Sequence, residues 1–179
     1  NIYEYLTNEE QEIEKEIKGL DVDSSEVSGR LFKYLSSDIL KTNKLKYAKN
    51  GQDFQFGYKL DDVPQGNQRE LTVHFITPET SYSDSEIAAQ SMGRDEVRVL
   101  LGRDKRLLAD LRLLLKTAKY TKQRLNSGTT TSMQAILQSK QVLTADREKE
   151  LIERIRQAVG KAQLIINAAE ITSSSPDAV

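Results

Sequence analysis

The sequence predicts an α+β fold with an N-terminal helical pair, a small central sheet that is mostly antiparallel or mixed, and long C-terminal helices ending in a short strand or hairpin. Apolar residues recur at helical spacing at both ends of the chain and at a spacing of two in the middle. The middle segments follow one another without regular crossover helices, which favours α+β over a parallel α/β sheet. A chain of 179 residues is long enough to bury a core.

The N-terminal segment has the signals of two consecutive helices. Thr7 followed by Glu10 has the pattern of a capping box, and Gly19 is a plausible stop for that helix. Asp23 and Glu26 repeat the capping pattern at the start of the second helix. The first 40 residues hold ten acidic and four basic side chains, so the predicted pair carries a net charge of −6.

The middle of the chain has the two-residue spacing of short strands. Polar loops with Pro or Gly are predicted at 61–68 and 77–85, and a short helix at 86–92. The predicted strands are the segment around Leu45 and Tyr47, DFQFGYKL (53–60), ELTVHFIT (70–77) and EVRVLLG (96–102).

Helical spacing returns after the last of these strands, with leucines recurring along one arc. The expected order is a helix from Asp104, a break at Gly128, a short helix from Thr131, a long helix from Thr144 to Gly160 and a strand or tight hairpin over 162–171.

These elements suggest three parts of the chain. Residues 1–42 are expected to form the helical pair, and 43–172 an α+β module with strands at about 45–101 and helices at about 104–160. The C-terminal segment TSSSPDAV (172–179) has the composition of a loose tail, which we assign to residues 173–179.

Few residues in the chain are suited to catalysis or to holding a metal. The absence of cysteine excludes disulfides, thiolate zinc sites and cysteine nucleophiles, and it fits a cytoplasmic protein. His74 is the only histidine and is predicted to have a structural or surface role. Asp61 and Asp62 could bind a cation, but beside Pro64 and Gly66 they are more typical of a solvated turn. We therefore expect no catalytic residue, no metal ligand and no small-molecule substrate.

The sequence also limits the kinds of partner that the chain could bind. A net charge of −1 excludes a strongly basic nucleic-acid binder at whole-chain level, although it allows a local basic patch. No apolar run approaches the roughly 20 residues that span a bilayer, so no membrane partner is expected. The phosphate-cradling pattern G-x-x-x-x-G-K-[ST] does not occur, so no nucleotide cofactor is expected in this chain.

One basic stripe is the strongest candidate for a binding site. Residues 98–124 carry nine basic and two acidic side chains. At about 100° per residue, four of the basic side chains fall within roughly 60° of each other. The simpler interpretation of this stripe is a solvated flank of an amphipathic helix. The functional interpretation is contact with DNA phosphates or with an acidic partner. A third interpretation is packing against the acidic first 40 residues. The four residues of the stripe are Lys105, Arg112, Lys116 and Lys119.

Four segments together resemble one internal stretch of the BrxC/PglY family, the large P-loop (AAA+-type) ATPases of bacterial BREX phage-defence systems. The resemblance covers roughly residues 3–172, and its most specific parts are the Leu-Thr-Asn-Glu-Glu-Gln opening and the strand-Asp-helix unit at 97–115. The four segments are YLTNEEQEIEKEIKGLDVDSSEVSGRLFKYLSSDIL (5–40), FITPE (75–79), VRVLLGRDKRLLADLRLLLKTAKYTKQ (97–123) and REKELIERIRQAVGKAQLIINAAEI (147–171).

The resemblance implies a context rather than a site. In such proteins the ATPase core lies toward the amino end, so ATP and Mg are expected in the parent protein but outside this stretch, and Asn1 is expected to be a cut within a longer chain. The expected role is that of a non-catalytic structural or interaction module, which helps assembly or couples the ATPase to other BREX components. A DNA-contacting module that uses the basic helix 104–125 is the alternative.

Overall fold

The computed structural model describes residues 1–46, 50–80, 83, 85–86 and 96–173. The chain forms two compact units, each built from two separate stretches of sequence. Unit 1 comprises Asn1–Val27 and Arg106–Leu151, and unit 2 comprises Ser28–Lys105 and Ile152–Val179.

The fold is α+β, as the sequence predicted. Along the sequence, helices come first and last, and the strands of a small mixed sheet come between them. A π-helical segment, Tyr34–Leu40, directly follows the second helix. The α-helices are α1 (Ile2–Lys18), α2 (Ser24–Lys33), α3 (Arg106–Leu125) and α4 (Thr131–Ser173). The strands are β1 (Lys44–Lys46), β2 (Asp53–Leu60), β3 (Val63–Gln65), β4 (Leu71–Ile76) and β5 (Glu96–Leu100).

The sheet has the order β1-β2-β4-β5, and β3 pairs with β2 outside this path. β2 pairs antiparallel with β1 and β3, whereas the β2–β4 and β4–β5 pairs are parallel. The predicted loop at 61–68 was therefore wrong in part, since it contains β3. Asp61 and Asp62 both have positive φ, at 45° and 70°, which is the backbone of the two-residue turn that joins hairpin strands most often.

The start of α1 differs from its prediction. The helix begins at Ile2, because the Oδ1 atom of Asn1 accepts the backbone N–H of Tyr3 at 2.9 Å and caps it. Thr7 lies inside the helix, where its hydroxyl donates to the carbonyl of Tyr3 at 2.9 Å, so the capping box predicted for Thr7 was wrong. The predicted end at Gly19 and the second helix after Asp23 are confirmed.

The C-terminal helices also differ from their prediction. α4 runs without a break from Thr131 to Ser173, so the predicted new start at Thr144 and the predicted strand at 162–171 were wrong. The Thr144 hydroxyl donates to the Lys140 carbonyl at 2.7 Å, a bond made within a helix rather than at its start. No Pro interrupts 131–173, and the alanines, Gln and Leu after Gly160 are strong helix formers.

Some predictions fall where the structure gives no description. The helix predicted at 86–92 and the tail predicted at 173–179 lie almost wholly outside the described residues, as does Tyr47 of the first predicted strand. The break predicted at Gly128 is confirmed, since α3 ends at Leu125 and Gly128 has a φ of 73°.

The core of unit 1 joins α1, α3 and the first turns of α4. Ile13 and Ile17 of α1 pack with Tyr120 of α3 and Leu137 of α4, and all four side chains are at least 95% buried. The hydroxyl of Tyr120 donates to the carboxylate of Glu16. Burial, together with this carboxylate, raises the pKa of Tyr120 to about 12. The apolar face of α1 therefore depends on residues more than a hundred positions further along the chain.

The core of unit 2 lies on the central strands of the sheet. β4 is buried on both faces, as is usual for a strand with parallel neighbours on both sides. Phe75 of β4 and Tyr58 of β2 stack with ring centroids 6.1 Å apart, and Phe32 of α2 meets Tyr58 edge-on at 5.1 Å. Burial raises the pKa of Tyr58 to about 12. These rings connect the second helix to the centre of the sheet.

Candidate functional site

The basic stripe proposed from the sequence divides into two parts. Lys105 lies in the turn before α3, where it is exposed, and it belongs to unit 2. Arg112, Lys116 and Lys119 lie on α3 itself and belong to unit 1, where all three are only partly exposed. The three residues on α3 are called the α3 cations below.

The α3 cations donate hydrogen bonds to the backbone where α1 ends and the chain turns into α2. Lys116 Nζ lies 3.0 Å from the carbonyl oxygen of Lys18, and Lys119 Nζ lies 3.2 Å from that of Asp21. Arg112 donates to the carbonyl oxygen of Val22 through one nitrogen of its guanidinium group. Three consecutive side chains of the stripe are thus used inside unit 1.

These contacts have a direct physical reason. The last carbonyl groups of a helix have no partner within the helix, and they carry the negative end of its dipole. Cations placed there satisfy the carbonyls and are stabilised by the dipole. Lys116 meets such a carbonyl at Lys18, whereas Lys119 and Arg112 donate to carbonyls in the turn that follows. The α3 cations therefore fasten the end of α1 and this turn to α3. The sequence had suggested packing against acidic side chains as one alternative, and here the acceptors are backbone carbonyls of the same acidic segment.

Replacing Arg112 with Ala should lower the free energy of unfolding by about 1–3 kcal/mol, because the carbonyl of Val22 loses a charged donor. Urea unfolding followed by circular dichroism measures this change. Lys122→Ala is the matched control, since Lys122 is exposed on the same helix. Equal stability of the two variants would show that the Arg112 contact contributes nothing.

His74 lies in a buried polar cluster of unit 2. Its side chain is fully buried in β4, and its Nε2 atom accepts the backbone N–H of Asp62 at 2.8 Å. Because Nε2 accepts, the ring hydrogen is on Nδ1, which lies 2.6 Å from Oε1 of Glu96. Lys59 and Arg98 also approach the Glu96 carboxylate, at 3.9 Å and 3.6 Å. Both ring nitrogens thus have partners, and the carboxylate is surrounded by donors.

The side chain of Asp61 makes structural hydrogen bonds beside this cluster. Its carboxylate accepts the backbone N–H of Thr77 at 2.9 Å and the Thr77 hydroxyl at 2.5 Å. Together with the bond from Asp62 to His74, this ties the β2–β3 turn to the end of β4. Among the described residues, no group of three or more His, Asp or Glu side chains could hold a metal ion.

Sequence reasoning did not find the partners of His74. Asp62 and Glu96 are 12 and 22 positions away, and they meet the ring because β2, β4 and β5 are parallel neighbours. Within the part of the chain that the structure describes, no helix is long and apolar enough to cross a membrane.

The fold and these clusters define an α+β domain in which the α3 cations and the His74–Glu96 pair serve internal contacts. A family model described as "BREX ATP-binding protein BrxC 4th domain with six-stranded beta sheet" matches residues 20–179. The chain therefore belongs to this BrxC domain family, as the resemblance read from the sequence had predicted. The described residues form a five-stranded sheet. No solved structure matches the chain.

Proposed function

We propose that this domain is a non-catalytic structural and interaction module of a BREX ATP-binding protein, helping to assemble the protein or to couple its ATPase to partner proteins in the cytoplasm. Family membership supports the defence context, because the matched description is that of a domain within a BREX ATP-binding protein. The sequence itself contains no phosphate-binding loop. ATP binding is therefore assigned to another part of the parent protein.

The observation that carries the proposal is the internal use of the charged side chains. The α3 cations bond to backbone carbonyls of unit 1, and His74 and Glu96 bond to each other within unit 2. Side chains held in this way stabilise the domain, and the ring of His74 is fully buried. Exposed apolar side chains, in contrast, lie on the surface of unit 1, including Leu113 of α3 and Leu143 of α4, which line one groove. Such side chains suit contact with other proteins.

DNA contact by the basic helix receives less support from the same geometry. Phosphate binding needs lysine and arginine side chains that are free to replace counterions. Three of the four residues proposed for that role already have acceptors in their own chain. The described contacts therefore give these three side chains a role within unit 1 rather than on DNA.

Deleting the segment that corresponds to this chain from the full-length parent should abolish phage restriction while ATP binding by the parent is retained. The reason is that a module of this kind connects the ATPase to its partners without forming the nucleotide site. Plaque counts on cells with the complete defence system measure restriction, and nucleotide binding to the purified parent measures the second property. Restriction that survives the deletion would contradict the proposal.

A milder variant separates the loss of a module from general damage to the parent. Lys122→Ala changes an exposed side chain and should leave restriction intact. A parent that loses ATP binding together with the segment would also contradict the proposal, because the segment would then belong to the ATPase core.

A further inference from the structure

A groove on the surface of unit 1 lies between α1, α3 and α4 and has a volume of about 190 Å³. Each helix contributes one large apolar side chain to its lining, namely Ile17, Leu113 and Leu143. Ile17 is buried, whereas Leu113 and Leu143 are 37% and 45% exposed, so the apolar lining is open to solvent at the two leucines. We call this feature the α1–α3–α4 groove.

The two threonines of the α1–α3–α4 groove add little capacity for hydrogen bonding. The hydroxyl of Thr117 donates to the carbonyl of Leu113 at 2.8 Å, and that of Thr144 donates to the carbonyl of Lys140 at 2.7 Å. Both hydroxyls are therefore used within their own helices. The middle of the groove thus suits apolar side chains of an occupant, and its volume lies below the roughly 300 Å³ at which small-molecule pockets begin.

The groove is elongated along α4. Its α4 residues occupy positions i, i+3, i+4 and i+7, which form one face of a helix: Lys140, Leu143, Thr144 and Arg147. Seven steps of 1.5 Å span about 10 Å, so the groove follows α4 for about two turns. A helix that lies in such a groove contacts it through apolar side chains at i, i+3 or i+4, and i+7.

The charges of the lining are mainly basic. Lys18, Lys140 and Arg147 contribute three cations and Glu14 one carboxylate, which gives a net charge of +2. Lys140 is paired with Glu14 at 3.5 Å. The side chains of Lys18 and Arg147 are exposed, and no hydrogen bond or ion pair joins them to another described residue. Unlike the α3 cations, these two can therefore accept a carboxylate from an occupant.

We propose that the α1–α3–α4 groove binds an amphipathic α-helix of another protein, which has apolar side chains on one face and carboxylates beside them. The inference rests on the assembly role proposed above and names its contact surface. The lining selects such a helix by its apolar middle, its length of two turns and its unpaired cations. The groove of a second copy does not fit, because two linings of charge +2 would repel each other.

Photo-cross-linking in the full-length parent protein tests the proposal. Leu143→p-benzoylphenylalanine places the cross-linker in the groove, and the cells carry the complete defence system. After illumination, mass spectrometry should identify a peptide of another protein that has apolar residues at helical spacing with acidic residues beside them. Gln138→p-benzoylphenylalanine is the matched control, because Gln138 is exposed on α4 but lies about 140° around the helix from Leu143.

A reversed charge at the groove tests the carboxylate contact. Arg147→Glu should lower the yield of the Leu143 cross-link at least about tenfold, because attraction to the partner's carboxylates becomes repulsion. Lys149→Glu makes the same charge change on an exposed residue of α4 outside the lining, and it should leave the yield unchanged. Both side chains are exposed, so the fold should be kept, and circular dichroism of the 179-residue chain verifies this.

Four results would overturn the proposal. They are a cross-link to the parent itself, within one chain or between copies; a yield no higher than that at Gln138; a cross-linked peptide without acidic residues; and a yield that Arg147→Glu leaves unchanged. If deletion of the segment abolishes phage restriction while one of these results is found, this contact is wrong and the proposed function stands. Restriction that survives the deletion contradicts the proposed function, whatever is cross-linked.

Discussion

Replacing Phe75 with Ala should lower the free energy of unfolding of unit 2 by about 3–5 kcal/mol. Phe75 is 1% exposed near the end of β4, the strand that pairs with β2 on one side and β5 on the other. Its ring also stacks on Tyr58, so the substitution leaves a cavity at the centre of the sheet. Urea unfolding monitored by circular dichroism and by tyrosine fluorescence measures the loss.

Val63→Ala is the matched control for Phe75→Ala. Val63 lies in the neighbouring strand β3 but is 56% exposed, so its truncation should change stability by no more than about 0.5 kcal/mol. A loss below about 1 kcal/mol for Phe75→Ala would mean that the side chain is not packed in the centre of unit 2 as described.

Replacing Leu137 with Ala should lower the free energy of unfolding of unit 1 by about 2–5 kcal/mol. Leu137 of α4 is fully buried, and it packs with Ile13 and Ile17 of α1 and with Tyr120 of α3. Removing three carbon atoms there loosens α1, α3 and α4 together. The midpoint of urea unfolding and hydrogen exchange of the α1 amides measure the effect.

Val142→Ala on the same helix is the comparison for Leu137→Ala. Val142 is 64% exposed, so the change should be small. Hydrogen exchange adds a spatial criterion, since Leu137→Ala should weaken protection in α1 more than in β4. Equal loss of protection in α1 and β4 would show that the two units unfold as one.

The strands were the elements best predicted from sequence. β2 occupies Asp53–Leu60, which are the bounds of the predicted segment, because its aromatic residues alternate with polar ones. The order of the strands was not predictable from the same pattern. β2, β4 and β5 are parallel, and the sequence between them has no apolar repeat long enough to indicate a crossover helix.

His74 shows the limit of reading the face of a strand from alternation. Alternation puts Leu71, Val73 and Phe75 on one side of β4 and His74 on the other, which left a structural and a surface role both open for His74. Both faces of β4 are buried, so alternation no longer separates inside from outside. The position of the ring depends on the register of β5, which only long-range pairing decides.

Three of the four residues of the predicted basic stripe lie on α3, whereas Lys105 precedes the helix, and the acceptors of the three could not be foreseen. Spacing placed Arg112, Lys116 and Lys119 on one side of α3, and the structure keeps them there. Backbone carbonyls have no signature in the sequence, because every residue carries one. A stripe of cations beside an apolar arc therefore looks the same whether it binds phosphate or the end of another helix.

The division of unit 1 into two stretches has a consequence for the synthesis of the protein. Glu16 and Tyr120, which bond in the finished unit, are 104 residues apart. A ribosome adding about 5–20 residues per second needs roughly 5–20 s to make that interval. During this time α1 has emerged while the α3 and α4 residues that cover Ile13 and Ile17 are still unmade. The growing chain thus carries an uncovered amphipathic helix whose dense negative charge, by mutual repulsion between chains, helps to keep it from aggregating before its partners arrive.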